Sequence, residues 1–114
     1  MAIYAKKTDL HREIVISKEQ DKLTDEAVRM LTMMCNKYSY VYDYEREEDR
    51  QECISFATLD CLLYWRGYKP EISNNAFAYF TSVISNGFKK GWRVMYRNVK
   101  KNNKISLSTN IYNM

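Results

Sequence analysis

The stretch from Ser73 to Lys101, SNNAFAYFTSVISNGFKKGWRVMYRNVKK, has no proline and repeats its apolar residues at helical spacing. It therefore predicts one long helix around which the remaining chain must pack. Ser73 is placed to cap its N-terminus, because a hydroxyl there accepts from an orphan backbone N–H. Pro70 lies just upstream and stops the preceding segment from running on. Phe77, Phe80, Ile84, Phe88 and Met95 share one face, which belongs in a core. Gly91 falls on that face and lets a neighbouring helix approach closely. The opposite face carries Tyr79, Val83, Asn86, Lys90, Arg93 and Arg97, with Lys89 and Lys100 close to it.

Charge divides the chain. Residues 1–71 hold 11 Lys and Arg against 14 Asp and Glu, a net of −3. Residues 72–114 hold 7 basic residues and no acidic one, a net of +7, which gives +4 overall. An acidic front and a basic back suggest two different partners. A solvated helix face with a basic tail accounts for a single charge run. The absence of any acid after Glu71 favours nucleic acid.

A chain of 114 residues fits one domain with a core of its own, here residues 1–101, followed by a flexible tail over 102–114. Three Gly and one Pro leave little punctuation, so long helices and few turns are expected. The 10 Tyr suit a surface that meets bases or a protein. No run of 18 apolar residues is present and the N-terminus lacks the apolar core of a secretory signal, so no membrane association is expected. Cys35, Cys53 and Cys61 lie in apolar helical patterns and read as reduced core thiols of a cytosolic protein. No CxxC or HxxxH pair occurs and the only histidine is His11, so neither a metal nor another cofactor is expected.

Before the long helix, three shorter ones are predicted. Thr8 or Asp9 caps the first, which runs to about Lys18 with Leu10 and Ile14 inward; the polar KEQDKL is a connector. Thr24 caps the second, with Asp25 and Glu26 in its first turn and a core stripe of Ala27, Met30, Leu31, Met34, Cys35 and Tyr38. YSYVYDY, residues 38–44, is a connector whose tyrosines pack on helices. EREEDRQE opens the third helix, which runs to about Trp65 on a stripe of Ile54, Ala57, Cys61 and Trp65. Phe56 and Leu63 lie off that stripe beside Leu59 and Asp60. A helix apolar on more than one side is either deeply buried or faces a partner, and burial is the commoner cause. Gly67 ends this helix as a left-handed residue. The fold class is all-α, a compact bundle of about four helices.

No glycine-rich phosphate loop, Ser/His/Asp set or metal cluster is visible. The carboxylates of EREED are consecutive and point different ways on a helix, so they form a solvated helix start rather than an acid–base pair. The sequence argues against an enzyme.

Two blocks, ECISFATLDCLLYWRGYKPE and NNAFAYFTSVISNGFKKGW, resemble the second conserved region of bacterial sigma factors. The closest likeness is to the short late-transcription sigma factors of T-even-like tailed bacteriophages. It rests on Tyr68, Pro70 and Glu71, then Asn75, Ala78, Tyr79, Phe80 and Thr81, then Asn86 and Phe88. It covers about residues 47–97. The resemblance implies a four-helix, sigma region-2-like promoter-recognition domain acting in transcription initiation within the cytoplasm of an infected bacterial host. The third helix would dock on the clamp coiled coil of the RNA polymerase core, through Glu52, Ser55, Phe56, Leu59 and Asp60. Leu63 joins that set by its apolar excess. Cellular sigma factors carry a Gln-Glu pair where this chain has Ser55 and Phe56, and paired tryptophans where it has Ser82 and Val83. The fourth helix would grip and melt the AT-rich upstream element of late promoters. Phe77, Tyr79 and Phe80 would supply the aromatic surface, and Asn86, Lys89, Lys90, Arg93, Arg97 and Lys100 the contacts to promoter DNA. The late factors also use a co-activator and a sliding clamp, the latter through a short apolar C-terminal motif, for which ISLSTNIYNM is the candidate segment.

The residues read alone agree with this. Aromatic side chains near the start of the basic helix suit stacking of unpaired bases, worth about 1–3 kcal/mol each. The downstream cations suit duplex phosphates, with Asn86 to Arg97 spanning about 16 Å. Two other classes fit the same features: a small polymerase-binding regulator, of anti-sigma or co-activator type, that never touches DNA, and a helical duplex-binding protein with no polymerase partner.

Overall fold

The computed structural model describes residues 7–102, with side chains described over residues 9–96. Four helices form, α1 Lys7–Gln20, α2 Asp25–Tyr38, α3 Glu47–Tyr64 and α4 Ala76–Asn102. Short 3₁₀ turns follow α2 and α3 at Ser39–Val41 and Trp65–Gly67, and no strand occurs among the described residues. The all-α bundle expected from the sequence is thus the observed fold. The ISLSTNIYNM segment lies outside the described residues.

α1 runs through the first half of the stretch expected to be a connector. Lys18, Glu19 and Gln20 are good helix formers and stay helical. The reversal falls on Asp21, whose φ of 58° is one that a short acidic side chain tolerates. Lys22 N–H then donates to Ser17 O at 3.0 Å. Thr24 caps α2 as expected, its Oγ1 accepting from Ala27 N–H at 3.0 Å. The same hydroxyl donates to Glu13 Oε1 at 2.7 Å, and Thr24 N–H donates to the buried Ser17 Oγ at 3.0 Å. One residue therefore starts α2 and pins it to α1.

α3 and α4 form an antiparallel pair. Gly87 and Gly91 of α4 lie close against Ala57 and Cys53 of α3, with no room for a side chain at Gly87 and a tight fit for a methyl at Gly91. A Cβ on Gly87 would stand 2.6 Å from Ala57 Cα, and one on Gly91 3.2 Å from Cys53 Cα. This pairing places the start of α3 opposite about residue 97, so the last turns of α4 project beyond it. Around the seam the core collects Leu10 and Ile14 from α1, Met30, Leu31, Met34 and Cys35 from α2, and Phe80, Ile84 and Phe88 from α4. Burying side chains of this size contributes about 1.5–3 kcal/mol each. Tyr38 and Tyr42 cover Phe88 at ring distances of 5.3 and 6.0 Å, and Trp92 is met by Tyr42 stacked on it and by Tyr44 edge-on. Of the connector's tyrosines only Tyr40 stays outside, beneath the Arg50 guanidinium.

The turn into α4 differs from expectation in two ways. Gly67 is not left-handed: no described glycine has positive φ. It leaves room for the Tyr79 hydroxyl, which a Cβ there would meet at 2.5 Å. The cap of α4 is Asn75, whose Oδ1 accepts from Ala78 N–H at 3.0 Å; Ser73 instead accepts from Asn75 N–H, one step outside the helix. Tyr68 fixes the loop between them. Its hydroxyl donates to Ser73 O at 3.0 Å and meets His11 Nδ1 of α1 at 2.8 Å.

Candidate functional site

Burial along α4 defines which of its faces is open. Ala78, Ser82, Asn86, Lys89 and Arg93 are exposed at steps of four, four, three and four, which makes one continuous line. The part of the expected basic face formed by Tyr79, Val83 and Lys90 lies about 80° away around the helix. There it flanks α3 and is half-buried. The shift follows from the glycine seam. Bringing Gly87 and Gly91 against α3 rolls Tyr79, Val83 and Lys90 toward the same neighbour.

The expected DNA-contacting residues divide accordingly. Asn86, Lys89 and Arg93 are on the open line, and among the described residues neither Lys89 nor Arg93 has an acidic partner. Arg97 and Lys100 follow on α4, but their side chains lie outside the described residues. Phe80 is 0 % exposed and packs against Tyr68 and Tyr79, so it has no face for a base; its assignment to the DNA surface is corrected to core. Phe77 is also displaced. It lies about half a turn round from Asn86 and lines a 250 Å³ groove toward α2 with Met34, Tyr38 and Ile84. Lys90 is ion-paired to Asp60, with Nζ 2.9 Å from Oδ1.

Tyr79 is the aromatic residue that remains beside the open line. Its hydroxyl donates to Tyr64 O at 2.7 Å, which satisfies a carbonyl at the end of α3. Its ring stands between two hollows. One, of about 360 Å³, lies between α3 and α4 and is lined by Asp60, Tyr64, Val83, Asn86 and Lys90. The other, of about 400 Å³, lies over the turn and includes Tyr68, Ile72, Ser73 and Ala78. Burial pushes the Tyr79 phenol above its ordinary pKa, so it remains a hydrogen-bond donor through the neutral range.

No protein-family model, curated protein or solved structure matches the chain.

The expected docking residues lie on α3 and also divide. Glu52, Ser55, Leu59 and Leu63 are exposed on the side of α3 turned away from its buried stripe. Leu59 is 52 % and Leu63 60 % exposed, so the apolar excess of α3 faces outward rather than into a deep core. Leu62 extends the same patch and was not singled out from the sequence; its place three residues after Leu59 was the available signal. Phe56 is half-buried beside Gly91, its ring 3.0 Å from where a Cβ there would stand. Asp60 is 3 % exposed and cannot meet a partner from that position. Its assignment to the docking surface is corrected: it turns toward α4 because Lys90 neutralises it there.

Among the described residues no group of three or more His, Cys, Asp or Glu converges to hold a metal. No described helix is long and apolar enough to cross a membrane. The three cysteines are buried. Desolvation raises the Cys53 thiol to about 11, which keeps it protonated near neutrality.

Proposed function

We propose that the chain is a sigma-type transcription initiation factor that binds core RNA polymerase through α3 and engages promoter DNA through α4. The observation that carries this reading is the arrangement of two open surfaces on one locked helix pair. α3 exposes Leu59, Leu62 and Leu63 in line with Ser55, Glu52 and Glu48. α4, joined to it along the glycine seam, exposes Asn86, Lys89 and Arg93. An apolar patch with an acidic approach suits a protein partner whose contact surface is basic and apolar. A line of cations on an acid-free helix suits duplex phosphates, with Tyr79 at its upstream end where a strand would be opened. The resemblance to the late-transcription sigma factors assigns the same division of labour to the same two helices.

Run-off transcription tests it. Core RNA polymerase with this protein should initiate at phage late promoters where core alone does not. Transcripts no more abundant than with core alone, despite measurable binding to core, would exclude the reading.

Two observations favour a second reading, a polymerase-binding regulator that does not touch DNA. Phe80 is buried and Lys90 is already neutralised, which withdraws two residues from the expected DNA surface. In that case the protein would bind core and lower transcription by another factor.

A further inference from the structure

We infer that Asp60 is an internal competitor for DNA phosphate, which holds Lys90 away from the duplex and sets the DNA affinity of the chain below what its basic helix provides. The inference rests on the nucleic-acid reading of α4.

Three observations lead to it. First, α4 has no carboxylate of its own, yet one of its cations is neutralised. The acid comes from the neighbouring helix and lies almost wholly beneath the surface, with 5 % of its side chain accessible against 44 % for Lys90. Secondly, the pair lies in the hollow that also holds Tyr79 and Asn86, so the captured ammonium is within the proposed interface rather than remote from it. Thirdly, Lys90 is one helical turn from both Asn86 and Arg93, so its flexible stem can deliver the ammonium to the open line.

A phosphate approaching that line meets a lysine already at 2.9 Å from a carboxylate. Taking the ammonium would leave the Asp60 charge buried and unpaired, which is the unfavourable way to break such a pair. Lys89 and Arg93 have no such obligation. They therefore carry the phosphate contacts of the free chain, and Lys90 contributes little until Asp60 is neutralised. The device acts on affinity alone and leaves the sequence preference of the helix untouched, because a phosphate contact carries no base information.

The test is the salt dependence of binding of the full chain to an AT-rich duplex, followed by fluorescence anisotropy. Asp60→Asn should bind more tightly than the wild type, and its log–log salt slope should steepen by about 0.9 for one added phosphate contact. Asp60→Asn with Lys90→Gln should lose that gain. Glu19→Gln makes the same change of net charge on α1 and should not steepen the slope by a contact's worth. Asp60→Ala removes the carboxylate without leaving a buried polar group and serves if thermal melts show that Asp60→Asn folds poorly. Lys89→Ala with Arg93→Ala should flatten the slope. If that flattening occurs while both Asp60 variants keep the wild-type slope, Asp60 does not compete and the inference falls alone. If the Lys89 and Arg93 substitutions leave the slope unchanged, the nucleic-acid reading falls and the inference falls with it.

Discussion

Tyr79 holds two jobs at one position. Its hydroxyl closes α3 by accepting the task of a missing helical donor at Tyr64 O, and its ring stands beside the open line of α4. Substitution by alanine removes both, so Tyr79→Phe is the informative change. Losing one hydrogen bond should lower stability by about 0.5–1.5 kcal/mol in urea unfolding, while permanganate reactivity at unpaired promoter thymines persists. Tyr79→Ala should lose the reactivity as well. Alkaline pH acts at the same scale. Burial raises the Cys53 thiol from 9.0 to about 11, and raises the phenols of Tyr42, Tyr44 and Tyr79. Each group's folded pKa is the higher one, so above about pH 9 the unfolded chain releases protons that the folded chain keeps. Stability should be fully present below pH 9 and fall as pH rises toward 11, seen as a declining urea midpoint.

The elements were largely legible, because periodicity and caps are local. The α2 stripe and Thr24 are where the sequence put them, and so is the core face of α4 from Phe80 to Phe88. The open face of α4 was not legible to the same degree. A helical wheel divides apolar from polar, but it does not say how far the helix is rolled against its neighbour. Gly91 was visible as a point of close approach; Gly87 completes the seam, and together they turn Lys90 and Tyr79 toward α3. Asp60 was misplaced for the same reason, since an acid near the edge of an apolar stripe reveals no partner thirty residues away. The two glycines differ in a testable way. Alanine gains about 1 kcal/mol of helix propensity over glycine at either site. At Gly87 its Cβ would be 2.6 Å from backbone, which cannot yield cheaply, so overpacking of about 1–3 kcal/mol should win and the variant should be less stable. At Gly91 the nearest atom is in the half-buried Phe56 ring at 3.0 Å. Urea unfolding should find Gly91→Ala nearer the wild type than Gly87→Ala.

Across the whole molecule the two proposed surfaces must separate genetically. Leu59→Gln with Leu63→Gln changes residues that are more than half exposed, so helical circular dichroism should be retained while binding to core polymerase weakens at least tenfold. DNA binding by the isolated variant should be unaffected, and for the wild type it should stay near the non-specific range of about 10⁻⁴–10⁻⁶ M at physiological salt. Unaltered polymerase binding would move the docking face off α3.

The glycine seam also gives the long helix a fulcrum. Gly91 is the last glycine of α4 set against α3, and the helix continues to Asn102, about 16 Å farther on. A wedge of about 0.5 Å at Gly87, roughly 6 Å from that fulcrum, would tilt the rod by about 5° and swing its end by more than about 1 Å. Two absent side chains therefore govern the aim of the rod. Drift at either one would be felt least where it occurs and most at the far tip, as a change in where that tip points relative to α3.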